Sequence, residues 1–254
     1  MAAVVCMIVV CGTGSASAQV FNFGDKVFVN LNVAGGGGTS DDASRQFSMP
    51  YFDETATIDT SRSVRTGGAF FDFMAGAKAV DNWTAGISFS RRSGKSNGSF
   101  AGSVPDLAEF DQPRSVSGTI ADMEHKETWF ALLGGYSLPK VTNLPKFLDK
   151  AEKYMKKVDL MVFAGPVRAA VTHEVVSSVE ISEGPSGPVV TVNRETISKS
   201  FWGIQVGVDA RYMVTSNFGA GVFLRYSGAS GDINDEVNLD LGGFQGGLGL
   251  RIRF

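Results

Sequence analysis

His125 and His173 are the only histidines in the 254-residue chain, and each stands beside carboxylates: Glu124 and Glu127 near the first, Glu174 next to the second. A histidine paired with a carboxylate can act as a general base, and two histidines with a glutamate can hold a metal ion. Ser177 and Ser178 lie close to His173 but form no recognisable nucleophile motif with it. The expectation is therefore no catalytic residue and no metal site. A second set of residues carries charge without obvious reactivity: Asp72, Lys78, Arg92, Asp209, Arg211, Arg225, Arg251 and Arg253. Paired with one another they would lock an interior; left unpaired they would line a polar path, with an arginine excess that favours anions.

Other chemistry finds little support. The glycine run Gly35 to Gly38 is followed by Thr39-Ser40-Asp41-Asp42 and not by a helix start with a lysine. A phosphate-cradling loop needs both, so a flexible strand exit is expected and no cofactor. The formal net charge of −3, with both signs interspersed, carries no nucleic-acid footprint.

Met1 to Cys11 is apolar and uncharged, and Ala16-Ser17-Ala18 supplies small residues where a signal peptidase cuts. Residues 1–18 are expected to be a signal peptide and 19–254 the mature domain, although no Lys or Arg precedes the apolar run. A lipoprotein built on Cys11 is the alternative, with Val10 standing where a small residue is wanted. Both cysteines, Cys6 and Cys11, fall in that leader, which leaves no thiol for a disulfide or metal site.

The elements that must position the charges show a period of two. From Phe201 to Tyr212, Trp202, Ile204, Val206, Val208, Ala210 and Tyr212 share one face, and Gly203, Gln205, Gly207, Asp209 and Arg211 the other. Phe244, Gly246, Leu248, Leu250, Ile252 and Phe254 oppose Gln245, Gly247, Gly249, Arg251 and Arg253 in the same way. Soluble sandwich strands also alternate, but they usually run about 5–6 residues, whereas a membrane-crossing strand needs about 9–11. Further segments follow over 26–35, 65–80, 83–92, 124–138, 158–176 and 218–228, making about eight. In these, Asp72, Lys78, Arg92 and Arg225 oppose apolar faces. The facing of 158–176 is ambiguous, and Gly165-Pro166 is expected to mark a bulge or kink.

The connections alternate in length. Long polar loops are expected over 36–64, 93–123, 177–195 and 229–238, and tight turns at Asp81-Asn82 and Thr215-Ser216-Asn217. That layout places long loops outside the cell and both termini in the periplasm. Lys146 to Lys157, with Phe147, Leu148, Ala151, Tyr154 and Met155 at helical spacing among lysines, reads as a short surface helix. The alternative is a helix lying on the inner leaflet.

The leader, the eight alternating segments and the closing Leu248-Gly249-Leu250-Arg251-Ile252-Arg253-Phe254 resemble the small bacterial outer-membrane barrels: the OmpA-like transmembrane domain, the OmpW-like proteins and the opacity-type adhesins. The resemblance implies an all-β fold, a closed antiparallel up-and-down transmembrane β-barrel of about eight strands, in the outer membrane of a Gram-negative cell. It further implies outer-membrane lipids as neighbours and recognition by the barrel-assembly machinery through Leu248, Leu250, Ile252 and Phe254. It says little about activity. A structural or surface-interaction role is expected, with an extracellular ligand bound by the long loops and a lumen plugged by paired charges. A narrow porin-like channel is the alternative, and a lipid-modifying enzyme at the extracellular rim the third reading.

Overall fold

The computed structural model describes residues 26–36, 39–65, 68–109, 112–138, 158–185, 187–234 and 237–254. The expected leader and the Lys146 to Lys157 segment lie outside these residues. Ten antiparallel strands are present: β1 (Val27–Gly36), β2 (Thr39–Tyr51), β3 (Glu54–Arg65), β4 (Phe70–Val80), β5 (Trp83–Pro105), β6 (Pro113–Ser137), β7 (Val158–Gly184), β8 (Gly187–Met213), β9 (Phe218–Asn234) and β10 (Val237–Arg253). Eight of them form a closed hydrogen-bonded ring in the order β1-β4-β5-β6-β7-β8-β9-β10, with β10 returning to β1. The expected all-β, up-and-down barrel is the observed fold.

Period-two patterning decides which face of each strand turns outward. Val33, Phe71, Phe130, Leu132, Trp202, Ile204, Val206, Val222, Leu224, Phe244 and Leu248 are all exposed, while the residues between them are buried or half-buried. The apolar side chains thus girdle the outside of the ring. From Trp202 to Tyr212 the belt rises about 25 Å, at ~3.3 Å per residue and a tilt of ~40°. Aromatic pairs mark its two edges: Trp83 against Tyr136 (ring centroids 5.1 Å apart) at the end carrying the short turns, and Tyr226 against Phe244 (5.3 Å) at the other. The Asp81-Asn82 turn has Asp81 in the left-handed region (φ 44°), and the 214–217 turn joins β8 to β9.

At the opposite end the structure departs from the expected loops. Segment 36–64 contains the β2–β3 hairpin, and the other three long connections are largely continuations of their flanking strands. β7 and β8 reach 27 residues each, far more than the ~9–11 that a bilayer requires. Above the barrel β3 takes over the edge of β5 that β4 holds below, pairing Thr57–Arg62 with Gly98–Ser103. The resulting head has its own core of Ile58, Val104, Ile120, Met123, Val176 and Val179. Burying these side chains explains why polar segments form strands here: pairing satisfies their backbone while one face becomes dry.

The tip of the head is clasped by charge. Tyr51 Oη donates to Glu183 Oε1 (2.8 Å), and Arg114 Nη2 donates to the same oxygen (2.5 Å). The Arg114 hydrogen bond, then that of Tyr51, holds the Glu183 carboxyl below its ordinary value of 4.5, while burial and the Glu183 carboxylate push the Tyr51 phenol up. Because the folded value is depressed, the clasp contributes fully above the ordinary value and is lost as pH falls through the lower, folded one. Acidification below pH 4.5 should therefore raise proteolysis around Gly184–Gly187, and Glu183→Gln should flatten that dependence. An unchanged pH profile in the variant would exclude the clasp as the cause.

Candidate functional site

The inward faces build hydrogen-bonded clusters at three levels, the lower two joined to each other. In the lowest, Asp209 on β8 is fully buried and accepts from both neighbours: Arg211 Nε (2.5 Å) to one oxygen, Arg251 Nη2 (2.6 Å) to the other. Asn30 adds a bond of 3.1 Å, and the Arg211 guanidinium lies 4.1 Å over the Phe28 ring. Asp209 and Arg211 meet because they are two apart on one strand. Arg251 reaches them from β10 across β9 because β9 presents Gly221 there; a Cβ at Gly221 would sit 2.5 Å from the Arg251 Nε. The absent side chain is the passage.

One level up, Asp72 on β4 accepts from Arg225 Nη1 (2.5 Å) and Asn32 Nδ2 (2.8 Å). Arg225 also donates to Gln245 (2.8 Å) and Ser90 (3.1 Å). Asn32 ties the two levels together, since its Oδ1 accepts from Arg251 Nη1 (2.5 Å). Each guanidinium thus has a carboxylate and at least one neutral partner, which offsets the large cost of removing it from water.

The third level joins barrel to head. Glu127 on β6 is fully buried and receives Arg92 Nη2 (2.5 Å), Trp129 Nε1 (2.6 Å) and His125 Nε2 (2.8 Å). His125 Nδ1 lies 2.9 Å from His173 Nδ1 across the β6–β7 pair, and His173 Nε2 lies 3.5 Å from Arg62 Nη1 of β3. Hydrogen-bond complementarity assigns the tautomers. Glu127 only accepts, so His125 Nε2 donates; neutral His125 then accepts at Nδ1 from His173, whose Nε2 accepts from Arg62. Arg62 is also anchored to the Glu174 and Met123 carbonyls (2.6 and 2.8 Å).

Beside these clusters the lower interior is apolar. Phe28, Met74, Leu133, Met161 and Phe163 close around a cavity of about 10 Å³, room for about one water. An eight-stranded barrel is only wide enough for its own side chains. No three His, Cys, Asp or Glu among the described residues come together as a metal site.

Six of the eight charges expected in the interior meet there: Asp72, Arg92, Asp209, Arg211, Arg225 and Arg251. Arg253 sits partly exposed at the lower mouth, paired with Asp159. Lys78 is a correction. It is exposed at the end of β4, beside a register shift between Lys78 and Val80, where alternation no longer divides inside from outside. Leu248, Leu250 and Ile252 share the outward face of β10, and Phe254 follows its last residue. Asn30, Asn32, Gln245 and Arg62 were not singled out from the sequence. The first three stand on inward faces that alternation did mark, whereas Arg62 lies in a hairpin that it did not.

Neither a family model nor a curated protein matches the chain. Solved structures do. An outer-membrane protein, OprG, from Pseudomonas aeruginosa has a TM-score of 0.44 at 10% identity, covering 91% of this chain and 96% of its own. The outer-membrane protease OmpT from Escherichia coli has 0.40 at 12% identity, covering 91% and 97%. Neisserial surface protein A has 0.39 at 11%, covering 90% and 97%. The chain is similar to these small barrels, and its own closed ring of strands carries the fold assignment.

Proposed function

We propose that this chain is an integral outer-membrane barrel whose interior is a fixed, charge-paired plug, and whose head serves contacts at the cell surface. One observation carries the plug: buried ion pairs occupy the lumen at three levels, the lower two joined through Asn32, beside an apolar cluster with room for about one water. The apolar girdle supports the membrane location, because a contiguous patch on that scale is rare on soluble monomers. The buried histidines act in this reading as structural links, being at most 4% exposed and out of a substrate's reach.

Planar-bilayer reconstitution tests the plug. The expected trace has no discrete conductance. A stepwise current that shifts when Arg251 and Arg253 are neutralised would replace the plug by an anion path. A purified protein that stays dispersed without detergent would overturn the membrane location itself.

A further inference from the structure

At the upper edge of the apolar belt the outward faces are not uniformly neutral. Arg91 on β5, Lys126 on β6 and Arg168 on β7 project from three adjacent strands. They surround Thr128: Arg91 is its partner across β5–β6, Lys126 is the next outward residue above it, and Arg168 pairs with Phe130, the next below. Ala170 and Thr172 complete a floor of small side chains. Arg168 is flanked by Phe130 and Trp202, both exposed. Near the same edge, Ser200, Trp202, Tyr226 and Phe244 on β8 to β10 are neutral, so the positive charge is confined to one side.

The three cations differ in their partners. Lys126 is bonded to Glu124, whose carboxyl it holds below the ordinary value. Arg91 and Arg168 are both exposed and have no carboxylate partner among the described residues. A cation facing hydrocarbon costs about 2–4 kcal/mol at mid-bilayer and about 0–1 near the interface. An arginine in the aromatic row is therefore stable only with its guanidinium at headgroup level. Arg91 and Arg168 stand two strand spacings and two residues apart, ~12 Å, and their long side chains can converge over Thr128. A guanidinium fork matches phosphate oxygens in geometry and charge.

We infer that Arg91 and Arg168, with Lys126 and Thr128, form a binding site for the phosphate group of an outer-leaflet lipid. The inference rests on the outer-membrane reading above. The occupant is a lipid phosphate because the site is continuous with the lipid-facing belt: its lower wall, Phe130 and Trp202, would lie along the acyl chains of the same molecule.

The test uses the folded full chain in phosphatidylcholine bilayers doped with phosphorylated lipid A, dephosphorylated lipid A or neither. Lipid retained after extraction is read by native mass spectrometry, with inorganic phosphate as a competitor. Phosphorylated lipid should be retained preferentially, and Arg91→Gln with Arg168→Gln should weaken retention about tenfold or more. Lys126→Gln should have a smaller effect, because Glu124 already engages that lysine. Heat-dependent gel mobility should be the same in all variants, since these side chains lie outside the packed interior. Equal retention of both lipids, or of the parent and the double variant, would overturn the site while leaving the barrel reading intact. Competition by inorganic phosphate as effective as that by lipid would place the specificity in the anion alone and overturn a lipid site. Failure of the parent to insert would overturn both readings.

Discussion

Asp209→Asn is expected to destabilise the barrel by about 3–5 kcal/mol, the cost of leaving buried cations without their counter-charge. The substitution keeps shape but removes the one carboxylate that Arg211 and Arg251 share. The other acids nearby among the described residues are already engaged: Asp72 is bonded to Arg225, and Asp159, opposite Arg211 across the β7–β8 pair, to Arg253 at the mouth. The loss should appear as a lower urea midpoint for unfolding from phospholipid vesicles, followed by tryptophan emission. Arg211→Met alone should cost much less, because Asp209 keeps Arg251. Combined with Asp209→Asn, Arg211→Met should recover part of the lost stability, since one stranded guanidinium is then gone. This non-additivity is the diagnostic. Strictly additive effects would mean that the three groups do not act as a unit.

Glu127→Gln should cost about 3 kcal/mol or more, and its effect should spread into the head. Glu127 takes two bonds from Arg92, one from Trp129 and one from His125. An amide in its place also brings an NH₂ that donates, into a pocket already full of donors. If that NH₂ turns toward His125, the ring must accept there and donate from Nδ1; His173 must then accept at Nδ1 and donate toward Arg62, which offers only N–H groups. The polarity of the chain is set at Glu127 and felt on the β2–β3 hairpin. Faster proteolysis of that hairpin is expected, together with a lowered unfolding midpoint. Arg92→Met in the same background should restore part of the midpoint but not the hairpin's protection. A hairpin as resistant as in the parent would separate the histidine pair from the head.

The eight barrel strands were legible because membrane and lumen impose opposite chemistry on alternate residues, as in Trp202 to Tyr212. The tight turns followed from Asp81-Asn82 and Thr215-Ser216-Asn217. The head was hidden because, outside the belt, neither face must be greasy. Thr55 and Thr57 lie among polar neighbours, and of the four buried positions Ala56, Ile58, Thr60 and Arg62 on β3 only the first two are apolar. The β-branched content of Val189, Val190, Val192 and Thr191 was a usable sign of strand that a polar-loop reading passed over. The doubt at Gly165-Pro166 was well placed: the β6–β7 ladder skips from Ala131↔Val167 to Gly134↔Ala164, and Pro166, lacking an N–H, faces outward at the gap.

For the interior, alternation identified which charges point inward but not which ones touch. Asp209 and Arg251 belong to strands separated by β9, and only the register that sets Gly221 between them brings them within 2.6 Å. His125 and His173 were legible as neighbours through strand adjacency. Their sealing beneath Arg62 depends on a hairpin contributed from elsewhere in the chain.

The pairing of β1 with β10 has a consequence for biogenesis. Val29 meets Ile252 and Leu31 meets Leu250, so the earliest and latest strands of the ring are each other's partners. Until β10 arrives, β1 and β9 would both present bare amides and carbonyls to hydrocarbon, a state the bilayer penalises at every unpaired group. No partial ring is a resting place. On the proposed outer-membrane reading, insertion of the ring cannot finish until its last strand has arrived.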